Sequence, residues 1–238
     1  MKINGIVNYY EAAAQFELTA EEAFEFFLQK GLSRSFRWDE MVRNEHDVAF
    51  TVAKLMNGDL LDFVKKELTK VIDSGTTFDD FADKITPALQ RHGWWGKRDV
   101  LDPYSGQVIK ASLGSASRLE TIFRTNLQSA YAKGQWESIE ENMSAMPYLM
   151  YDAVDDSRTR PEHARLDGIV LPVGHSFWDT HRPPLDFNCR CGIIQMSWED
   201  LQDYGLQVSD APNINWQTYR TPDGREITHP EGVGPTFV

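Results

Sequence analysis

Residues 155–195 sustain no long hydrophobic period, helical or extended, and are dense instead in Arg, Asp, His, Pro and Gly. A stretch of that composition buries too little apolar surface to hold a shape by itself. Its order is expected to come in large part from ion pairs, hydrogen bonds or a bound metal. The chain's two cysteines, Cys189 and Cys191, both lie inside it. Two cysteines one residue apart do not make the framework of a secreted, disulfide-held domain.

The chain before this block reads differently. Thr19 and Glu22 form a capping box, with Ala23, Phe24, Phe27 and Leu28 on one helical face and Gly31 as the stop. A second helix is expected from Asp39 to Met56, on the spacing of Val42, Ala49, Val52, Ala53 and Met56. Asp59 caps a third, with Leu60, Val64, Leu68, Val71 and Ile72 inward. Thr77 and Asp80 open a fourth, with Phe81, Ile85 and Leu89 inward and Pro87 awkward inside it. The pattern breaks at Gly93-Trp94-Trp95-Gly96, where the tryptophans read as a cover for the helical region or as an exposed docking plug. Asp102-Pro103-Tyr104-Ser105-Gly106 marks a turn between Val100-Leu101 and Val108-Ile109, hence a small hairpin or an ordered loop. Ser117 and Glu120 suggest the capping box of a long helix reaching about Asn142. Tyr148–Val154 reads as a strand, a short helix starts near Pro161 and ends at Gly168, and Ile169–Leu171 and Cys189–Met196 read as short strands. Ser197 and Asp200 open a last helix closed by Gly205. From Val208 on, prolines and glycines without an apolar period predict an extended arm with a turn at Pro222–Gly224.

The expected fold class is therefore α+β. It comprises a helical N-terminal region over 1–92, a turn-rich linker or hairpin over 93–116, a unit over 117–205 in which a long central helix supports a small C-terminal module of short strands, and an extended tail over 206–238. Composition narrows the function classes. With Lys+Arg at 24 against Asp+Glu at 36 the formal net charge is -12, which disfavours wrapping nucleic acid through a broad basic surface. No apolar run approaches the roughly 18 residues of a membrane span, and the N-terminus lacks a basic start followed by an apolar stretch, so no membrane partner is expected and the protein is expected to start in a reducing cytoplasm.

Asp156-Ser157-Arg158-Thr159-Arg160-Pro161-Glu162-His163, then Leu166-Asp167-Gly168, Pro183-Pro184 and Asn188-Cys189-Arg190-Cys191, resemble the signature of the phage Mu protein F-like head morphogenesis family. Phe36-Arg37-Trp38, residues 46–54, Gly93-Trp94-Trp95-Gly96 and residues 119–126 are also similar to members close to Mu protein F, so the resemblance spans about residues 20–205. It implies a structural minor head protein of a tailed phage or prophage. Such a protein is made in the host cytoplasm and built into the virion head near the portal, with portal, major capsid or scaffold protein as partners. It implies no enzymatic activity. A metal-dependent hydrolase or nuclease and a DNA-associated ejection protein are the alternatives. The resemblance also implies that Arg124 reaches the motif block and ties the long helix to it.

His163, Cys189 and Cys191 are the candidate metal ligands, since imidazole and thiolate are the donor set of structural zinc. His175, His181 or Asp156 stands as a fourth. The same cysteines also read as small hydrophobes on one face of a strand, residues i and i+2 pointing the same way, or as a strained CxC bridge. Arg158, Arg160 and Arg190 face two readings: contact with phosphate, or bidentate pairing with Asp155, Asp156, Asp167 or Asp186. The block holds carboxylates in similar number, which favours internal pairing, with Gly168 and Asn188 completing the motif. A Cys189–His163 nucleophile pair is the enzymatic reading, but no glycine-rich turn or oxyanion-binding feature accompanies it.

Overall fold

The computed structural model describes residues 21–238. Thr19, the cap expected from the sequence, lies outside the described residues; residues 21–29, Glu22 included, are helical (α1).

The N-terminal part is built on three helices. α3 (Gly58–Ser74) is capped by Asn57, whose side chain accepts from the Leu60 N–H at 3.0 Å, and ends on Gly75 in the left-handed conformation. The cap is thus Asn57 rather than Asp59, which falls in the first turn, where its charge suits the helix dipole. α4 (Phe78–Arg91) is capped by Thr77 and runs through Pro87, which leaves the Asp83 carbonyl without its helical partner on the exposed face. Leu61, Val64, Leu68 and Ile72 of α3 and Phe81, Ile85 and Leu89 of α4 meet α5 (Ala116–Asn142) in one core.

The helix expected over 39–56 is corrected. Only Arg43–Val48 (α2) is helical; Ala49–Phe50 (β2) pairs in parallel with Gly31–Leu32 (β1). The run Val48-Ala49-Phe50-Thr51-Val52 is β-branched and aromatic, and it buries Phe50 and Val52 at strand spacing while Val48 and Met56 stay exposed. Trp94 is buried, and its indole N–H donates to the Lys54 carbonyl at 2.9 Å; Trp95 packs beside it. Lys97–Leu101 (β3) and Val108–Ser112 (β4) form the hairpin.

α5 is the spine. At 27 residues it is about 40 Å long. Leu119, Phe123, Leu127 and Ala130 face the N-terminal core, and Trp136 and Ile139 reach the core of the C-terminal module. Its N-cap is Ser115, accepting from the Arg118 N–H at 3.2 Å, not Ser117. The difference of two residues frees Glu120 to pair with Arg124 instead of closing a capping box.

In the C-terminal module Tyr148–Asp152 (β5) lies between Val170–Pro172 (β6) and Gly192–Met196 (β7), antiparallel to both. Alternation along β5 sends Leu149 and Tyr151 to one core, with Leu171, Phe177, Trp178 and Leu185, and Tyr148 and Met150 to another, with Val170, Met196 and Leu201. Pro161–Ala164 (α6) stops short of Gly168, which takes φ +74°. Phe177–Thr180 (α7) covers the first core, and Trp198–Asp203 (α8) carries the expected Ser197–Asp200 capping box.

The tail is not an extended arm. Trp216–Arg220 (β8) and Glu226–Pro230 (β9) form a hairpin across the turn at Pro222–Gly224, and Val233 and Phe237 then pack into the first core. Apolar side chains spaced too widely to show a period still fill gaps that another segment leaves.

Candidate metal centre

α6 is short because the chain must turn there. Pro161 starts it, and the His163 side chain points into the module, 2% exposed. Its Nε2–H donates to the Gly232 carbonyl at 2.8 Å, leaving Nδ1 to face the two sulfurs. Cys189 and Cys191 lie in the loop before β7, which starts only at Gly192, so the strand-face reading of the pair does not hold. Asn188 at φ +59° turns the backbone just ahead of them. Nδ1 of His163 is 3.7 Å from Cys189 Sγ and 3.6 Å from Cys191 Sγ, and the three ligand atoms lie within 4.8 Å of one another.

These distances fit zinc. Zn–S near 2.3 Å and Zn–N near 2.0–2.1 Å in a tetrahedron give S···N edges of about 3.6 Å. The Gly232 carbonyl fixes the imidazole from behind, as an outer partner of a metal-bound histidine does. Tyr151 is fully buried, with its hydroxyl beside the Cys191 sulfur. The fourth ligands expected from sequence do not join. His175 Nδ1 accepts from the Phe177 N–H at 3.1 Å, His181 stacks on Phe177 at 4.3 Å, and Asp156 is held by Arg190.

Electrostatics divide the two thiols. Hydrogen bonding from Cys189 lowers Cys191, burial opposes it, and His163 and Tyr151 lower it further, so the thiol ends well below its usual range. Cys189 moves up, through its bond to Cys191 and then burial. Burial pulls His163 down, but hydrogen bonds with Cys191 and Gly232 outweigh it and the imidazole ends above its usual range.

Around the centre, the arginines pair with acids. Arg190 forks onto Asp156 at 2.8 and 2.6 Å, and Arg158 reaches the same carboxylate at 3.4 Å. These bonds hold Asp156 well below the usual carboxylate range. Arg160 pairs with Asp186 at 3.1 Å and donates to the Phe187 carbonyl at 3.0 Å. Asp167 accepts from the Ala153 N–H at 2.8 Å, and the Gly168 N–H donates to the Tyr151 carbonyl at 2.9 Å. The Pro183–Pro184 peptide is cis. Arg124 is not part of this set: it pairs with Glu120 one turn back on α5 at 2.6 Å. The position near the motif is taken by Gln135, whose amide donates to the Ile193 carbonyl at 3.1 Å. Sequence reasoning missed Gln135, Tyr151 and Gly232. Tyr151 had a signal, its alternation with Leu149; Gly232 had none.

The model of the family described as phage Mu protein F-like matches residues 62–194. Over 192 residues the chain is 38% identical to the putative capsid assembly protein F of Escherichia phage Mu, an overlap of 81% of this chain and 44% of that protein. Over 177 residues it is 36% identical to the Mu-like prophage FluMu F protein of Haemophilus influenzae, covering 74% and 42%. The chain thus spans less than half the length of these relatives, and no solved structure matches it. The match across more than half of the chain, with both relatives above 35% identity, establishes that this chain belongs to the phage Mu protein F-like family.

Proposed function

We propose that the chain is a structural component of phage head assembly, acting as a minor head protein beside the portal, with its C-terminal module clasped by zinc on His163, Cys189 and Cys191. The similarity to a putative capsid assembly protein carries the assembly role. The three-donor geometry, with a carbonyl behind the imidazole, carries the clasp. In this reading, metal and ion pairs fix a shape that other head components recognise: portal, major capsid or scaffold protein. The protein is made in the host cytoplasm and enters the head. Among the described residues no helix is long and apolar enough to cross a membrane.

A second reading has one observation in its favour: the lowered Cys191 thiol against His163 is the arrangement of an activated nucleophile. Against it stand the second sulfur at the same nitrogen and the burial of Cys189. A DNA-associated role is disfavoured by the net charge of -12 and by the pairing of the motif arginines with carboxylates.

The assembly role is tested by co-expressing the chain with the portal protein of its phage and isolating the complex by affinity to the portal. The expected result is a stoichiometric complex that survives gel filtration. A chain that never co-purifies with portal, capsid or scaffold protein overturns the role.

A further inference from the structure

A cleft of about 530 Å³ opens between residues 30–54, one face of α5 and the loop around Pro183–Pro184, and none of the three candidate metal ligands lines it. In a chain with net charge -12 its lining is inverted. Its lining carries six cations, Lys30, Arg43, Lys54, Arg118, Lys133 and Arg182, beside a single carboxylate, Asp47, and the imidazole of His46. Among the described residues none of these cations lies within ion-pair distance of a carboxylate.

The hydrogen bonds they make go to backbone carbonyls, which do not neutralise the charge, and Asp47 alone among the lining carboxylates offsets part of it. Lys30, 7% exposed, donates to the His46 carbonyl at 2.6 Å, and Arg43 donates to the Arg182 carbonyl at 2.9 Å. Arg182 lies over the Trp136 ring at 4.3 Å with its Nε buried and unpartnered. Thr125 Oγ1, on the α5 wall, is a second buried polar atom with no partner among the described residues. Burial, and then the nearby Arg182, pull Arg43 down to about 10 against the opposing pull of Asp47. Unpaired buried donors and clustered like charge both await an anion. The rest of the wall is apolar: Phe50, Ile122, Trp136, Phe187 and Phe237.

We propose that this cleft is a docking site for an acidic, apolar peptide segment of a partner protein, with Arg43 and Arg182 taking a carboxylate and Ile122, Trp136 and Phe187 taking the neighbouring apolar side chains. The mixed wall selects a peptide over a polynucleotide, since a long polyanion must also run along a molecule of net charge -12. The volume is that of a site burying a short segment, not a strand running across the molecule.

The test uses the full chain and fluorescence anisotropy with three probes: a labelled peptide alternating aspartate with leucine and phenylalanine, the same peptide with asparagine for each aspartate, and a labelled oligothymidylate of equal length. The acidic peptide is expected to bind and to weaken as ionic strength rises, with the asparagine peptide and the oligothymidylate far weaker. Arg182→Gln and Arg43→Gln are each expected to weaken it by about tenfold or more. Lys133→Gln, on a half-buried side chain, is the check if an arginine variant loses its circular-dichroism melt; it is expected to weaken binding by a smaller factor. No binding, equal binding of the acidic and asparagine peptides, variants that bind like the parent, or tighter binding of the oligothymidylate would each overturn the proposal.

Discussion

The Tyr219 hydroxyl donates a 2.6 Å hydrogen bond to the Asp39 carboxylate across 180 residues of sequence. Asp39 is 1% exposed and also receives Arg37 at 3.0 Å, while Arg225 of the same hairpin donates to the Glu40 carbonyl at 2.6 Å. The C-terminal hairpin is thereby pinned to the N-terminal part. Tyr219→Phe is expected to cost about 1.5–3 kcal/mol in urea denaturation, the range for a hydrogen bond to a charged group. Burial pushes Asp39 up, but the bonds from Arg37 and Tyr219 outweigh it, so its folded pKa lies below its unfolded value. That contribution is full above the unfolded pKa of about 3.9 and is lost as pH falls through the folded pKa. The parent protein should lose stability below about pH 4 more steeply than Tyr219→Phe. Equal slopes would contradict the assignment.

Gly232 links the tail to the metal centre. It sits at φ +85°, and a Cβ there would lie 2.7 Å from Glu162 Cβ, next to His163. Gly232→Ala therefore combines backbone strain with a clash that shifts the imidazole. An expected loss of about 1–3 kcal/mol, with weaker zinc retention, is measured by thermal melting and metal analysis. An alanine variant as stable and as metal-rich as the parent would show that the tail does not support the site.

The elements written most clearly in the sequence were those whose ends carry their own chemistry. Thr77 and Ser197 mark their helix starts, and Pro222–Gly224 marks its turn, because capping and turn formation are local. The segment around Phe50 failed because its apolar residues fit a helical period and a strand period alike, and the partner strand at Gly31–Leu32 decided between them. Ser115 competed with Ser117 two residues away, and only the structure separates them. His163, Cys189 and Cys191 were legible by residue type, whereas their common orientation depends on Asn188, Gly232 and the start of β7. Arg124 was misplaced because an acid one turn away competes with any distant partner. The cationic cleft was invisible, since its members come from segments scattered along the chain.

Lys30 gives a pH signature at the other end of the scale. Burial lowers it to about 8, with Asp47 acting to raise it and Lys65 to lower it. The folded pKa is below the unfolded value of about 10.4, so the unfolded chain binds more protons between the two and stability rises with pH across that window. Lys30→Met lacks this gain. The stability difference between variant and parent, followed by denaturation from about pH 8 to about pH 10, should move in the parent's favour. A difference that stays constant would contradict the buried charge.

The most direct test of the metal-clasped module is the zinc content of the purified full chain, measured alongside its melting before and after chelation. The account predicts about one zinc per chain, a clear fall in melting temperature on chelation, loss of metal in Cys189→Ser, Cys191→Ser and His163→Ala, and full retention in Arg124→Ala. A metal-free chain that melts at the same temperature with and without added zinc would contradict it.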